Sequence, residues 1–163
     1  MSPSRTALML VAALGCGATG GVFFAFSAFV MRGLGRLPAP QGIAAMQSIN
    51  VTAVTPPFML ALFGTAAACV ALAVSSVSRW GEPGATAGFA GSLLYLIGTV
   101  LVTIAFNVPR NDALAAVDPQ SAENARLWTD YLRTWTAWNH VRAAAALAAA
   151  GLITCALIAA RQT

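Results

Sequence analysis

The chain carries little charge, since only 9% of its 163 residues are Asp, Glu, Lys or Arg. A soluble domain usually carries about 25% charged residues, so the shortage argues against a soluble globular domain. Lysine is missing altogether, and the nine basic residues are all arginine. These arginines are scattered and form no basic run of the kind that binds nucleic acid. The sequence therefore predicts no nucleic-acid partner.

Residue types that bind metals are equally scarce. There is one histidine, and the three cysteines are far apart with no CxxC pair, so the spacing predicts neither a thiolate metal site nor a disulfide framework. One histidine cannot form the histidine clusters of copper, zinc or non-haem iron sites, although a single axial ligand to haem is compatible with the count. We predict no metal, and we interpret Cys16, Cys69 and Cys155 as small buried packing residues.

The low charge reflects several long stretches that contain no charged residue. Each has an apolar core close to the ~20 residues that a bilayer-spanning helix requires. We therefore predict an all-α fold, a four-transmembrane-helix bundle with a short helix before span 2 and a long final helix that extends out of the bilayer. Residues 1–163 would form a single integral-membrane domain. The predicted spans are 7–31, 56–78, 84–107 and 140–160.

The first apolar run begins after Arg5 and continues through Phe29. It is longer than the apolar region of a typical secretory signal, so we expect the first span to be retained. The run contains Gly17-x-x-x-Gly21, a spacing that lets helices approach closely. We interpret the Phe23–Phe29 cluster and Met46 as packing residues.

Prolines are expected to mark the helix boundaries. A short helix at 41–54 should follow the break at Pro38-Ala-Pro40, and Pro56 should start span 2 with Thr55 as its N-cap. Span 3 should end before Pro109, because the residue before a proline disfavours helix.

The final helix is expected to start at Asp118-Pro119, with the aspartate as N-cap and the proline in the first turn. A helix from there to Arg161 would have about 43 residues, twice the number that a bilayer core of ~30 Å accommodates. Its first half must therefore lie outside the bilayer or along its surface.

Polar residues are divided unevenly between the two sides of the predicted bundle. With four spans, the segments 32–55 and 107–142 lie on one side, while the termini and the 79–84 turn lie on the other. The first side holds six of the nine arginines, so the positive-inside rule places it in the cytoplasm and the protein in the inner (plasma) membrane. We expect a pocket on that side, roofed by the two long connections.

The segment from Trp128 to Arg142 contains three of the four tryptophans and the only histidine. His140 points about 100° away from Asn139 on a helix. An aromatic face at the mouth of a membrane helix fits either a docking site for a flat molecule or an interfacial anchor. We favour the anchor for Trp128 only. The residues that share this face are Trp128, Tyr131, Leu132, Trp135, Trp138, Asn139 and Arg142.

Four ordered blocks carry a family resemblance. They are Gly21-Val-Phe-Phe-Ala-Phe-Ser27-x-x-Val-Met31-x-Gly-Leu, Ala45-Met46-Gln47-x-Ile-Asn50, Phe106-Asn107-Val-Pro109-x-Asn111 and Trp135-x-x-Trp138-Asn139-x-x-Arg142. Together they resemble the signature blocks of a family of small four-helix membrane proteins that includes the anthrone oxygenases of aromatic polyketide pathways.

The resemblance implies oxidation of an anthrone to an anthraquinone by molecular oxygen, with no recognised organic cofactor. An anthrone has an acidic methylene group, and its deprotonation gives an electron-rich anthranolate that reacts with oxygen directly. The protein would supply a general base, donors for the oxyanion and a dry aromatic slot.

Each proposed catalytic residue also has a structural interpretation. Histidine commonly exchanges protons near neutral pH, so His140 is the first candidate base, although it also fits a surface position at the helix entry. The carboxylate of Asp112 is the second candidate, or else a solvated partner of Arg110. Arg142 can stabilise an enolate or reach the lipid headgroups.

The residues expected to bind substrate are amides and tryptophans. The amides alternatively serve backbone groups near the prolines, and the tryptophans alternatively mark the membrane boundary. This set comprises Gln47, Asn50, Asn107, Asn111, Trp135, Trp138 and Asn139.

We predict an integral membrane protein that oxidises an aromatic or otherwise acidic-carbon substrate with oxygen. One alternative is a non-catalytic membrane module that binds a lipid, quinone or partner helix through the aromatic face. Another is an accessory subunit whose small-residue faces on spans 1 and 3 contact a second membrane protein. The expected partners are membrane lipid and a hydrophobic aromatic small molecule, and the sequence leaves the substrate and the oligomeric state open.

Overall fold

The computed structural model describes residues 2–162, and most of them are helical. Met1 and Thr163, which belong to the predicted domain, lie outside the described range. Four helices within that range are long and apolar enough to cross a membrane, and a shorter helix precedes the second of them. The predicted four-span bundle is confirmed, and the chain is a multi-pass membrane protein. The helices are α1 (Pro3–Leu34), α2 (Ala39–Ala53), α3 (Pro56–Val77), α4 (Ala85–Ala115) and α5 (Ala125–Arg161).

Two of the proline boundaries lie where the sequence predicts them. Helix α2 has Pro40 in its first turn, and α3 begins at Pro56 after an extended residue, Thr55. The fixed φ of proline suits the first turn of a helix, where the missing N–H has no partner in any case.

The prediction that Pro109 ends the third span is wrong, because α4 continues to Ala115. Just before the proline the backbone widens into π turns at Leu96–Leu101 and Thr103–Asn107. In a π turn the hydrogen bonds reach one residue further than in an α-helix, so the proline ring and its missing N–H are accommodated without a break.

Helix α5 begins at Ala125, later than the predicted start at Pro119. Asp118 does not cap it, because its Oδ1 accepts a hydrogen bond from the backbone N–H of Gln120 at 2.9 Å, within a turn. The helix ends at Arg161 as predicted. Its 37 residues exceed the ~20 that cross a bilayer, so the N-terminal half extends beyond the membrane.

Two clusters of buried side chains hold the bundle together. The first, the membrane core, joins α1, α3, α4 and α5 along their apolar lengths and includes Met9, Leu72, Tyr95 and Ile153. The second, the aromatic core, joins α2 to the ends of α1, α4 and α5 on the side of the long connections. It includes Met31, Ile43, Met46, Leu114, Trp128, Tyr131 and Trp135.

Trp128 is part of this aromatic core and is only 4% exposed, so the prediction of an interfacial anchor is wrong. Its ring packs on Gly42 of α2, where a Cβ atom would lie 2.7 Å from the indole. The absence of a side chain at Gly42 therefore lets α2 pack closely against α5, which buries the indole.

Close helix approach depends on glycines other than the predicted pair. A Cβ on Gly21 would meet nothing within 4 Å in the described chain, and one on Gly17 would only touch Ala150 at 4.0 Å. At Gly98 of α4, by contrast, a Cβ would lie 2.5 Å from the Cβ of Ala145 in α5.

Burial of the other expected packing residues depends on which side of a helix they occupy. Cys16 and Cys69 are buried as predicted, with their sulfur atoms 3.8 Å apart between α1 and α3. Cys155, Phe24 and Phe29 are exposed on the outside of the bundle. The prediction that Cys155 is buried is therefore wrong, and these two phenylalanines do not pack inside the protein. Lipid is as apolar as a protein core, so apolar character alone does not show which residues face inward.

We expect Gly98→Ala to destabilise the bundle by about 1–3 kcal/mol, because the added methyl group overlaps Ala145 and forces the helices apart. Gly21→Ala should leave stability unchanged or raise it by up to ~1 kcal/mol, since alanine favours helix and the space is open. Thermal unfolding of both variants in the same detergent measures the difference. Equal melting temperatures would contradict the close contact of α4 with α5.

Candidate functional site

A cavity of about 470 Å³ lies between the membrane core and the aromatic core, where all five helices contribute to its wall. Its position on the side of the two long connections is the one predicted. Small-molecule sites commonly have volumes of about 300–1,000 Å³. Counting the ~20 residues of a membrane crossing back from Arg161 leads to Arg142, so the cavity lies near the boundary of the hydrocarbon region.

Arg142 is the central polar residue of the cavity wall and is only 4% exposed. It donates hydrogen bonds to Asn139 Oδ1 at 2.7 Å and to Thr103 Oγ1 at 3.3 Å. Its guanidinium carbon lies 4.1 Å from the centre of the Phe23 ring and 5.0 Å from that of Trp135. These contacts are all with neutral groups, and Nε has no hydrogen-bond partner within residues 2–162.

No acidic side chain compensates this charge in the described chain. Arg142 is the one charged residue in the cavity wall, and the ion pairs of residues 2–162 join Arg5 and Arg79 to Glu82, and Arg133 to Asp130. A guanidinium stays protonated in proteins, and a buried charge is costly unless it is paired. An anion in the cavity would therefore compensate this charge.

Asn139 fixes Arg142 in place from behind the wall. Its Nδ2 donates to the Phe23 carbonyl at 2.7 Å and to Ser27 Oγ at 2.8 Å, and the residue is fully buried. Because a carbonyl can only accept, the amide nitrogen must face α1 and the amide oxygen must face Arg142. Asn139 thereby ties α5 and its arginine to α1.

Three of the spans widen into π turns beside the cavity, a feature that sequence analysis missed. Phe26, Leu62 and Thr103 lie within these turns and also line the cavity. Widened turns of this kind are frequent at functional sites. In the sequence, only Pro109 signals one of them, because the others occur in uninterrupted apolar runs.

Backbone carbonyls at the π turns accept hydrogen bonds from neighbouring side chains. The Tyr95 hydroxyl donates to the Leu62 carbonyl at 3.1 Å, and the Arg110 guanidinium donates to the Phe106 carbonyl. Since a membrane offers no water to free backbone groups, these side chains stabilise the widened backbone and with it the shape of the cavity.

The predicted substrate-binding residues separate into those that line the cavity and those that serve the backbone. Asn50, Asn111 and Trp135 line it together with Arg142. Gln47 instead donates to the carbonyls of Leu114 and Val117, and Asn107 donates to the carbonyl of Trp135. Trp138 lies outside the wall, where its ring stacks on Phe106 with the centroids 3.6 Å apart.

Neither predicted base borders the cavity. His140 is exposed and lies beside shallow grooves on the outer surface, close to Arg32 and Phe24. Asp112 is also exposed, and Arg110 bonds to Thr134 rather than to it. The catalytic role of either residue stays a prediction without a contact that supports it.

We expect Asn139→Ala to lower the free energy of unfolding by about 3 kcal/mol, because it leaves both the Phe23 carbonyl and part of the Arg142 guanidinium unpaired. The neighbouring variant His140→Ala should stay within ~0.5 kcal/mol of the parent, since that side chain is exposed. Melting temperatures in detergent provide the measurement. If Asn139→Ala is as stable as His140→Ala, Asn139 does not anchor α5 to α1.

Comparison with known proteins identifies the family. A family model described as anthrone oxygenase matches residues 58–152, which include all of α4 and the cavity residues of α5. No curated protein and no solved structure gives a significant match to the chain. The blocks around Phe23 and Gln47 precede the matched range. Because the match covers more than half of the chain and agrees with the resemblance of its sequence blocks, the protein belongs to the anthrone oxygenase family.

Proposed function

We propose that this protein is a membrane monooxygenase that oxidises an anthrone-type substrate with molecular oxygen, without an organic cofactor. The observation that carries the proposal is the buried guanidinium of Arg142, which lies in an aromatic cavity without an acidic partner in the described chain. Such a cation is suited to stabilise negative charge that develops on a bound substrate.

The proposed reaction begins with loss of a proton from the methylene carbon of the substrate. The resulting anion places negative charge on the carbonyl oxygen, where Arg142 would stabilise it. The electron-rich anion reduces oxygen, a carbon–oxygen bond forms, and loss of water from the peroxide leaves a carbonyl group. One molecule of the methylene substrate and one oxygen molecule thus give one quinone and one water. Oxygen accepts both of the electron pairs that the substrate loses.

The described wall of the cavity contains no histidine or carboxylate. Water at the mouth of the cavity therefore accepts the proton in this reaction, and His140 and Asp112 have no role as base. Arg142 promotes the transfer by stabilising the anion that remains. Removal of one donor to an oxyanion commonly lowers kcat about 100-fold or more.

Aromatic side chains in the wall suit a flat and hydrophobic substrate. Phe23, Phe26 and Trp135 border the cavity and give it an aromatic, apolar lining. They also exclude water from the anion, which strengthens its interaction with the guanidinium. A cavity near the membrane boundary is accessible to a substrate dissolved in lipid. We further propose that this boundary faces the cytoplasm at the plasma membrane, as the arginine distribution indicates.

The first test is oxygen uptake and quinone formation by the purified protein in detergent with anthrone as the substrate. We expect turnover above the spontaneous rate that resists a metal chelator. Arg142→Gln should lower kcat/KM about 100-fold, and Arg142→Lys should lower it less, because lysine keeps the charge but has fewer donors.

Matched controls separate the cavity from the surface. Arg133→Gln removes an arginine that is 77% exposed, and His140→Gln removes the exposed histidine. Both should retain turnover, and loss of activity in His140→Gln would require a different base assignment. A folded protein that binds anthrone through Arg142 without oxidising it would instead support the non-catalytic binding module.

A further inference from the structure

The amide of Asn111 has a fixed orientation at the cavity. Its Oδ1 accepts hydrogen bonds from the Tyr131 hydroxyl at 2.9 Å and from Trp135 Nε1 at 2.7 Å. An indole N–H can only donate, so the acceptor must be the amide oxygen. The N–H groups of Asn111 have no acceptor among residues 2–162 and belong to a residue of the cavity wall.

The two residues that hold Asn111 are themselves rigidly packed. Tyr131 is 5% exposed, and its ring stacks between Trp128 and Trp135 at centroid distances of 5.7 and 6.1 Å. Because this stack belongs to the aromatic core, the hydroxyl of Tyr131 is held in place by packing and not only by its hydrogen bond. Tyr131 contacts Asn111 without lining the cavity.

The polar part of the cavity wall offers N–H donors to a ligand. Besides Asn111, the wall contains the guanidinium of Arg142, which has no acidic partner among residues 2–162. A ligand oxygen that faces these groups must accept hydrogen bonds. An oxyanion accepts more of them, and more strongly, than the neutral hydroxyl group that carries a proton of its own.

We infer that Asn111 and Arg142 together bind the ligand as an oxyanion, and that Tyr131 and Trp135 are positioning residues that aim the Asn111 amide. The polycyclic aromatic nature of the ligand rests on the proposed function, whereas the anion site rests on the hydrogen bonds described above. The site thus selects aromatic compounds with an ionisable oxygen, a phenol or an enolisable ketone, over those without one.

The experiment uses alizarin, a dihydroxyanthraquinone that changes from yellow to red when it ionises, and anthraquinone, which has no hydroxyl group. Both are titrated into the intact protein in detergent with a metal chelator present. We expect bound alizarin to ionise at least one pH unit lower than alizarin in protein-free micelles, a tenfold preference for the anion. Anthraquinone should compete at least tenfold more weakly.

Variants separate positioning from folding. Asn111→Ala should weaken binding of ionised alizarin about tenfold, the effect of one lost hydrogen bond to an anion. Tyr131→Phe keeps the ring stack but removes the hydrogen bond that orients the Asn111 amide. The ionisation midpoint of bound alizarin should therefore return part of the way toward its value in micelles. Ser92→Ala removes a different buried hydroxyl, one that bonds to the Gly88 carbonyl of its own helix away from the cavity, and should leave the midpoint unchanged.

The outcomes distinguish this inference from the proposed function. Bound alizarin that ionises as it does in micelles, or folded Asn111→Ala and Tyr131→Phe variants that behave as the parent, would overturn the anion site. A lowered midpoint that depends on Asn111 and Tyr131 supports it, even if the protein consumes no oxygen with anthrone, in which case only the proposed oxygenase fails. Melting temperatures identify misfolded variants, and Tyr131→Phe serves as the test should Asn111→Ala not fold.

Discussion

The hydrogen bonds of Asn139 determine the geometry on which the cavity depends. Through them α5 is joined to the Phe23 carbonyl of α1, and the guanidinium of Arg142 is held at the cavity wall. Removing a charged group from water costs several kcal/mol. Neutral hydrogen bonds and two aromatic rings offset part of this cost, so an anionic ligand would stabilise the protein as well as occupy the site.

The cost of unpaired polar groups inside a membrane also explains why the helices widen beside the cavity. A side chain that bonds to a backbone carbonyl within a membrane competes with the helix's own hydrogen bonds, and every freed group needs a partner. Tyr95 and Arg110 each donate to a carbonyl within a π turn, and Asn139 donates to the Phe23 carbonyl in the helical turn that precedes another one. Polar side chains and widened turns therefore occur together, and both contribute to the cavity wall.

The two cores are held by different forces, and the cavity lies where they meet. In the membrane core, small residues such as Gly98 and Ala145 allow backbones to approach closely, because packing rather than water exclusion drives helix association in lipid. The aromatic core lies where helices leave the bilayer, and there burial of Trp128 from water stabilises the contact with α2. A ligand at the junction can contact aromatic walls and polar groups together.

The sequence by itself determined that four helices span the membrane and which face of α5 lies inward, because the length of an uncharged run and the helical pitch are local properties. It placed Trp135, Asn139 and Arg142 on one face and His140 off it, and all four lie accordingly. Only the tertiary structure decided that Asn111 lines the cavity while Gln47 and Asn107 bind backbone carbonyls. Whether an amide lines the cavity or binds a carbonyl depends on which carbonyls of distant helices lie within hydrogen-bond distance. A local sequence pattern does not contain that information.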